Sequence, residues 1–202
     1  MNQKSIQYQG GILAIIAFVT SAALVVANHF TYDAIEQSRL EDLKAFLTQV
    51  VPKDYYDNDL VKDTVSLKLQ GTTETTIYKG RLQNKVNAVA FQWSASGGYA
   101  GAIKLIIGID REGKVLGVRV LAHNETPGLG DKIEVKRSDW ITKFNELSLG
   151  NPPVDKWGVK KDGGIFDQFT GATITPRAVV RGIKEALQIF QLHRETILGE
   201  KS

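Results

Sequence analysis

Apolar residues recur along this chain in three rhythms, and each rhythm predicts a different element. From Gly10 to Asn28 there is no charged residue, and the run Ile12-Leu13-Ala14-Ile15-Ile16-Ala17-Phe18-Val19 continues through Leu24-Val25-Val26-Ala27. Each Lys, Arg or Asp at the centre of a membrane helix would cost about 2.5–3.5 kcal/mol on insertion scales. The gap therefore predicts a transmembrane helix over residues 10–28, after a short polar segment at 1–9. Helical spacing persists through Ala34, Ile35, Leu40, Leu43, Leu47 and Val50 until Pro52 stops it, which predicts a linking helix over 29–52.

The rhythm then shortens to two. Thr64 to Leu69 and Thr75 to Leu82 alternate polar and apolar residues, Val86 to Trp93 follows the polar turn Gln83-Asn84-Lys85, and Ala102 to Ile109 and Lys114 to Leu121 flank Asp110-Arg111-Glu112-Gly113. Turns this short join antiparallel neighbours. Ser138 is expected to cap a short helix carrying Trp140, Ile141, Phe144 and Leu147, Asn151-Pro152-Pro153 breaks the chain, Trp157-Gly158-Val159 reads as a strand, and Gly163-Gly164 as a turn. Near the end the period returns to helical: Val179/Val180, Ile183, Ala186/Leu187 and Phe190 make the stripe of a helix packed on a sheet. The fold class is α+β: an N-terminal transmembrane helix, then an antiparallel-sheet domain with flanking helices over 53–202.

Charge orients the membrane segment. Lys4 and the free amine precede the span, while Asp33, Glu36, Glu41 and Asp42 outnumber Arg39 and Lys44 just after it. The positive-inside rule puts the N-terminus in the cytoplasm and the bulk of the chain across the inner membrane, in the periplasm of a Gram-negative host. A cleavable signal peptide is the alternative, with Val25-Val26-Ala27 as a small-residue cleavage site and a secreted domain as product. The apolar run exceeds a typical signal core, which favours the retained anchor.

Composition narrows the chemistry. The 202 residues contain no cysteine, which removes a lipobox, disulfides, iron–sulfur ligation by this chain and a thiol nucleophile. With a net charge of +3 and its Lys and Arg scattered among Asp and Glu, the chain has no concentrated basic face, so no nucleic-acid partner is expected. No Gly-x-Ser-x-Gly elbow, Gly-x-x-x-x-Gly-Lys-Ser/Thr loop, His-Glu-x-x-His pair or Rossmann fingerprint occurs, and His123-Asn124-Glu125 lacks the Pro-Cys-x-x-Cys half of a zinc deaminase. Neither a metal site nor catalysis by this chain alone is expected.

One segment does carry chemistry. Asp167-Gln168-Phe169-Thr170-Gly171-Ala172-Thr173-Ile174-Thr175-Pro176 is a glycine-containing turn with three threonines running into the last helix. Pro176 fits a first helical position, and Thr175 before it fits an N-cap. The hydroxyl of Thr173 then lies beside a helix N-terminus, whose unpaired N–H groups and partial positive charge favour a phosphate ester. On local physics alone, structural capping and cofactor attachment both remain open.

The stretch Asp-x-x-Thr-Gly-Ala-Thr resembles the flavinylation motif of the FMN-binding domain family shared by the G subunit of the Rnf/Rsx complex and the C subunit of the Na+-translocating NADH:quinone reductase. A second block is also similar to that family: Gly98-Tyr99-Ala100-Gly101, Ile103 to Asp110, Gly117-Val118, and His123-Asn124-Glu125-Thr126-Pro127-Gly128-Leu129-Gly130-Asp131-Lys132-Ile133. The likeness runs from the N-terminal anchor to the last helix, and the chain length favours the Rnf/Rsx member of the pair. Thr170 stands where serine is common, and a hydroxyl is retained.

The resemblance implies FMN joined through its phosphate to Thr173 by a separate flavin transferase, with Asp167, Thr170, Gly171, Ala172 and Thr175 completing the attachment site. It implies that Asp167 helps the transferase and its magnesium reach Thr173. Thr126, Gly128, Leu129 and Gly130 are expected to meet the ring or its ribityl chain through exposed backbone N–H groups, with Tyr99 and Trp93 as secondary candidates for ring contact. An unactivated threonine is a poor nucleophile near neutral pH, which fits attachment by another enzyme. The function implied is an electron-carrying subunit of an ion-translocating membrane complex of the ferredoxin/NAD type, or one that keeps a redox regulator reduced, with the other Rnf/Rsx subunits as partners. A C-type subunit of the sodium pump and a non-redox, membrane-tethered adaptor are the rival readings.

Overall fold

In a computed structural model that describes residues 3–68 and 74–199, the chain forms two units, residues 1–43 and 44–202. The first unit is the greater part of one helix, α1 (Gln3–Val50). Its segment Tyr8–Val50 is long and apolar enough to cross a membrane, with an 18-residue window at a mean hydropathy of 2.4 and none of that window buried in protein. The helix is unbroken, so the two helical stretches read from the sequence are parts of one element.

The second unit is built on a five-stranded antiparallel meander in the order β1-β2-β3-β4-β5. Its strands are β1 (Thr64–Lys68), β2 (Glu74–Leu82), β3 (Lys85–Gly98), β4 (Gly101–Asp110) and β5 (Val115–Ala122). All five fall where strands were expected, except that β3 runs on from Trp93 to Gly98 and that Leu69 lies outside the described residues. The two-residue turn at Gln83 and Asn84 takes positive φ at both positions, 51° and 66°, as a tight hairpin demands.

Because side chains alternate across a strand, β3 and β4 present different rows to the two faces of the sheet. The pairs Val89–Ile109, Phe91–Ile107, Trp93–Leu105 and Ala95–Ile103 lie on one face. There they pack with Val179, Val180, Ile183, Ala186, Leu187 and Phe190 of α2 (Ile174–Leu192), the stripe read from the sequence. Contact is close at Gly182, where an added Cβ would run into the Ala95 methyl.

Glycine serves the other face. Gly108 and Gly117 are cross-strand partners, and the last residue of α1 lies on them: a Cβ on Gly108 would strike the Val50 carbonyl, and one on Gly117 would stand 2.9 Å from the Val50 Cα. Leu47, Val50 and Val51 are fully buried there, which is why the compact unit begins before Pro52.

The connection from β5 to α2 departs from the sequence reading in two places. The short helix after Ser138 is a 3-10 helix, Trp140–Phe144, with Asp139 rather than Ser138 at its N-cap, and it leaves Leu147 beyond its end; Ser138 Oγ accepts the Trp140 N–H at 3.0 Å. Leu147 instead gives its carbonyl to the Val115 N–H, 2.8 Å. Trp157-Gly158-Val159 forms one isolated bridge, Val159 with Phe166, rather than a strand. Ring packing dominates this region: Phe144 stacks on Phe166 at 4.4 Å, and Trp140 meets Phe169 edge-on at 5.1 Å. Trp140 Nε1 also donates to the Asp167 carbonyl at 2.8 Å. This aromatic cluster thereby anchors the segment that leads to Thr173.

Candidate functional site

Two tight turns frame the site. In the first, the Leu129 N–H donates to the Thr126 carbonyl at 3.1 Å, with Pro127 and then Gly128 at φ 78° between them. That is the residue order a type II turn requires. The Gly130 N–H shares the same carbonyl at 3.0 Å. In the second, the Ala172 N–H donates to the Phe169 carbonyl at 3.1 Å and Gly171 takes φ 81°. Both glycines occupy backbone conformations that a side chain would strain.

α2 starts earlier than the sequence reading placed it. Thr173, not Thr175, is the N-cap, and Ile174 is the first helical residue. The Thr173 carbonyl accepts the Arg177 N–H at 3.4 Å, but its side chain makes no capping hydrogen bond. Pro176 is the third helical residue rather than the first; it is tolerated because the N–H it lacks has no helical partner at either position. Thr175 is 1% exposed and gives its hydroxyl to Glu125 Oε2 instead of to a cap.

The turns and the helix start enclose a cleft of about 390 Å³ lined by Tyr99, Glu125, Thr126, Leu129, Gly130 and residues 171–175. Small-molecule sites occupy about 300–1,000 Å³, so the volume suits a ring system with a chain. Three large apolar side chains open onto it, with Tyr99 71%, Leu129 43% and Ile174 46% exposed. A flat aromatic ligand would cover them. Beside them stands the unspent Thr173 hydroxyl, at a helix end whose first N–H groups lack helical acceptors. Apolar walls and an anion-favouring helix end with a free hydroxyl fit a flavin phosphate.

Of the residues read from the sequence, Thr126, Leu129, Gly130, Gly171, Ala172, Thr173 and Thr175 line this cleft, as does Tyr99. Gly128 shapes it through its turn, and Thr170 is exposed beside it. Trp93 lies elsewhere, edge-on to Phe91 at 6.5 Å and packed against the core. Asp167 is also outside the lining; its carboxylate pairs with Lys160 Nζ at 2.5 Å and Lys143 Nζ at 3.0 Å. Those two lysines hold its carboxyl below the usual carboxylate range, Lys160 having the larger effect. Glu125 and Ile174 are in the cleft without having been given a role in the site from the sequence. His123 bonds Glu134 at 2.7 Å, and no cluster of metal-binding side chains occurs among the described residues.

Comparison with known proteins shows the family. Residues 98–188 match the family model of the FMN-binding domain, which spans the cleft and most of α2. The chain is therefore an FMN-binding-domain protein with an apolar N-terminal helix. Residues 1–50 match the model of the RnfG N-terminal region. Relatives named as the G subunit of the ion-translocating oxidoreductase complex include those of Stutzerimonas stutzeri, 45% identical over 96% of this chain and 84% of the relative, and Shewanella piezotolerans, 42% identical over 98% and 95%. A third, from Pseudomonas aeruginosa, is 44% identical over 93% and 90%. The chain belongs to this family of RnfG proteins.

Proposed function

We propose that this protein is a single-pass, inner-membrane flavoprotein that carries electrons within an ion-translocating oxidoreductase complex, with FMN held as a phosphate ester on Thr173. The observation that carries this reading is the Thr173 side chain: an N-cap hydroxyl that caps nothing, at the edge of an apolar-walled cleft. Bound there, FMN supplies one- and two-electron chemistry. The chain's own residues bind and orient it. Tyr99, Leu129 and Ile174 offer apolar surface to the ring, and the turns at Gly128 and Gly171 expose backbone to the ribityl chain and phosphate.

Attachment needs a partner enzyme. A flavin transferase delivers the flavin phosphate from an activated donor: the bond from Thr173 Oγ to phosphorus forms, the donor's leaving group departs, and the hydroxyl proton passes to a base of the transferase. Asp167 serves that encounter by releasing Lys143 and Lys160 and helping magnesium reach the hydroxyl. Residues 10–28 are about 28 Å long at about 1.5 Å per residue, one crossing of the hydrocarbon core, and the charge bias favours a periplasmic position for residues 53–202. A covalent tether suits that compartment, where a dissociated flavin is diluted without a nearby pool.

Partners are the remaining subunits of the complex, as the names of the relatives indicate for those proteins. Near end-to-end similarity to RnfG proteins favours that role over the C-type subunit of the sodium pump. Peptide mapping of protein matured with the transferase tests the assignment. The flavin should travel with the peptide containing Thr173; a flavin on any other peptide refutes it.

A further inference from the structure

The first turn of α2 is missing its usual restraint. An N-cap threonine ordinarily accepts the N–H of the second or third helical residue. Thr173 does not, and the third residue is Pro176, which has no N–H to give. If Thr173 did cap the helix, the hydroxyl required for attachment would be engaged in that bond.

Glu125 supplies a restraint from outside the helix. It is 4% exposed and joins three segments. Its Oε2 accepts the Thr175 hydroxyl, two residues beyond Thr173, and its Oε1 accepts the Ala100 N–H at 3.0 Å in the turn between β3 and β4. Its own N–H donates to His123 Nδ1 at 3.0 Å. Two glycines make room for it: a Cβ at Gly98 would stand 2.9 Å from Glu125 Oε1, and one at Gly130 would stand 2.8 Å from the Glu125 Cβ. Hydrogen bonds to a carboxylate are the stronger kind, and removing one partner of a buried set leaves the others unsatisfied.

We infer that Glu125 is a positioning residue for flavin attachment. Through Thr175 it replaces the absent N-cap bond, holding the first turn of α2 fixed while leaving the Thr173 hydroxyl free to face the transferase. The inference rests on Thr173 being the attachment residue.

The test is the steady-state rate at which purified transferase loads the detergent-solubilised full chain, comparing wild type with Glu125→Ala, Glu125→Gln, Thr175→Val, Thr175→Ser, Glu125→Ala/Thr175→Val and Thr173→Ala. Misorientation of a reacting group acts on turnover. Glu125→Ala and Thr175→Val should therefore each lower kcat by about tenfold or more, with KM for the chain nearly unchanged. Glu125→Gln and Thr175→Ser should recover most of the loss, since an amide and a serine hydroxyl can rebuild the bond. The double variant should be no worse than Glu125→Ala, as expected when Thr175 acts only through Glu125.

Thr175→Val keeps the shape of the side chain, so it reads the bond even where Glu125→Ala fails to fold. Wild-type kcat in Thr175→Val, a loss confined to KM, or a loss that Gln and Ser do not repair overturns the positioning role while Thr173→Ala stays unlabelled. Labelling of Thr173→Ala overturns the attachment reading itself, and the positioning role with it.

Discussion

Thr173 and Pro176 are matched within one helical turn: the threonine stands at the N-cap, and the residue three positions on lacks the N–H that its hydroxyl would accept. The pairing removes one of the two donors that the Thr173 hydroxyl could accept as a cap. Replacing Pro176 with Ala restores that donor and should draw the Thr173 hydroxyl into a cap. The expected outcome is a helix start stabilised by up to about 1 kcal/mol and a several-fold slower flavin loading. Urea unfolding and loading time courses on the same preparations check both halves, and faster loading would contradict the account.

Close packing of α2 on the sheet is what carries Thr173 to the cleft. Gly182→Ala would push a methyl into Ala95 and should destabilise the domain by about 1–3 kcal/mol. Ala95→Gly in the same chain should return part of that loss, because the two sites share one gap. Chemical denaturation of the four variants in a cycle measures the coupling; simple additivity would show that the contact is not the cause.

Asp167 makes a pH prediction. Lys160 and Lys143 depress its folded carboxyl below the ordinary value of about 3.9, so the stabilisation is fully present above that pH and is lost as pH falls through the lower folded value. The side chain is 45% exposed, so the contribution is screened and should shrink with salt. Wild type should exceed Asp167→Asn in denaturation midpoint at pH 6, with the gap closing below about pH 4. A gap that persists at about pH 2.5 would place the benefit of Asp167 elsewhere.

Much of the fold was legible because its signals are local. Period two marked β1 and β2, β-rich runs between polar turns marked β3 to β5, and the spacing of Val179, Ile183, Ala186 and Phe190 marked the buried face of α2. The start of that helix was misplaced because a proline is equally acceptable at its first and third positions, and Thr175 has the chemistry of a cap. Its hydroxyl went instead to Glu125, a partner 50 residues away in the sequence. Nothing local marks Glu125 as buried: it lies beside an exposed turn, in a polar segment. Trp157-Gly158-Val159 likewise looked like a strand, but stacking among Phe144, Trp157 and Phe166 prevails over ladder pairing there.

The full chain should stay with the membrane after alkaline carbonate washing, and protease added outside spheroplasts should digest the C-terminal domain while a tag before Lys4 survives. Release of the protein by carbonate, or digestion of the tag alone, would contradict a single-pass anchor with its N-terminus in the cytoplasm.

Covalent flavin on Thr173 is read out by ultraviolet in-gel fluorescence after denaturing electrophoresis. Wild type and Thr173→Ala are each co-expressed with a flavin transferase shown to be active on a control acceptor. A fluorescent wild-type band beside a dark, equally abundant and membrane-bound Thr173→Ala band is the predicted result. A dark wild-type band would contradict covalent attachment and leave a non-covalent flavin binder or a membrane-tethered adaptor, and a fluorescent Thr173→Ala band would move the attachment to another residue.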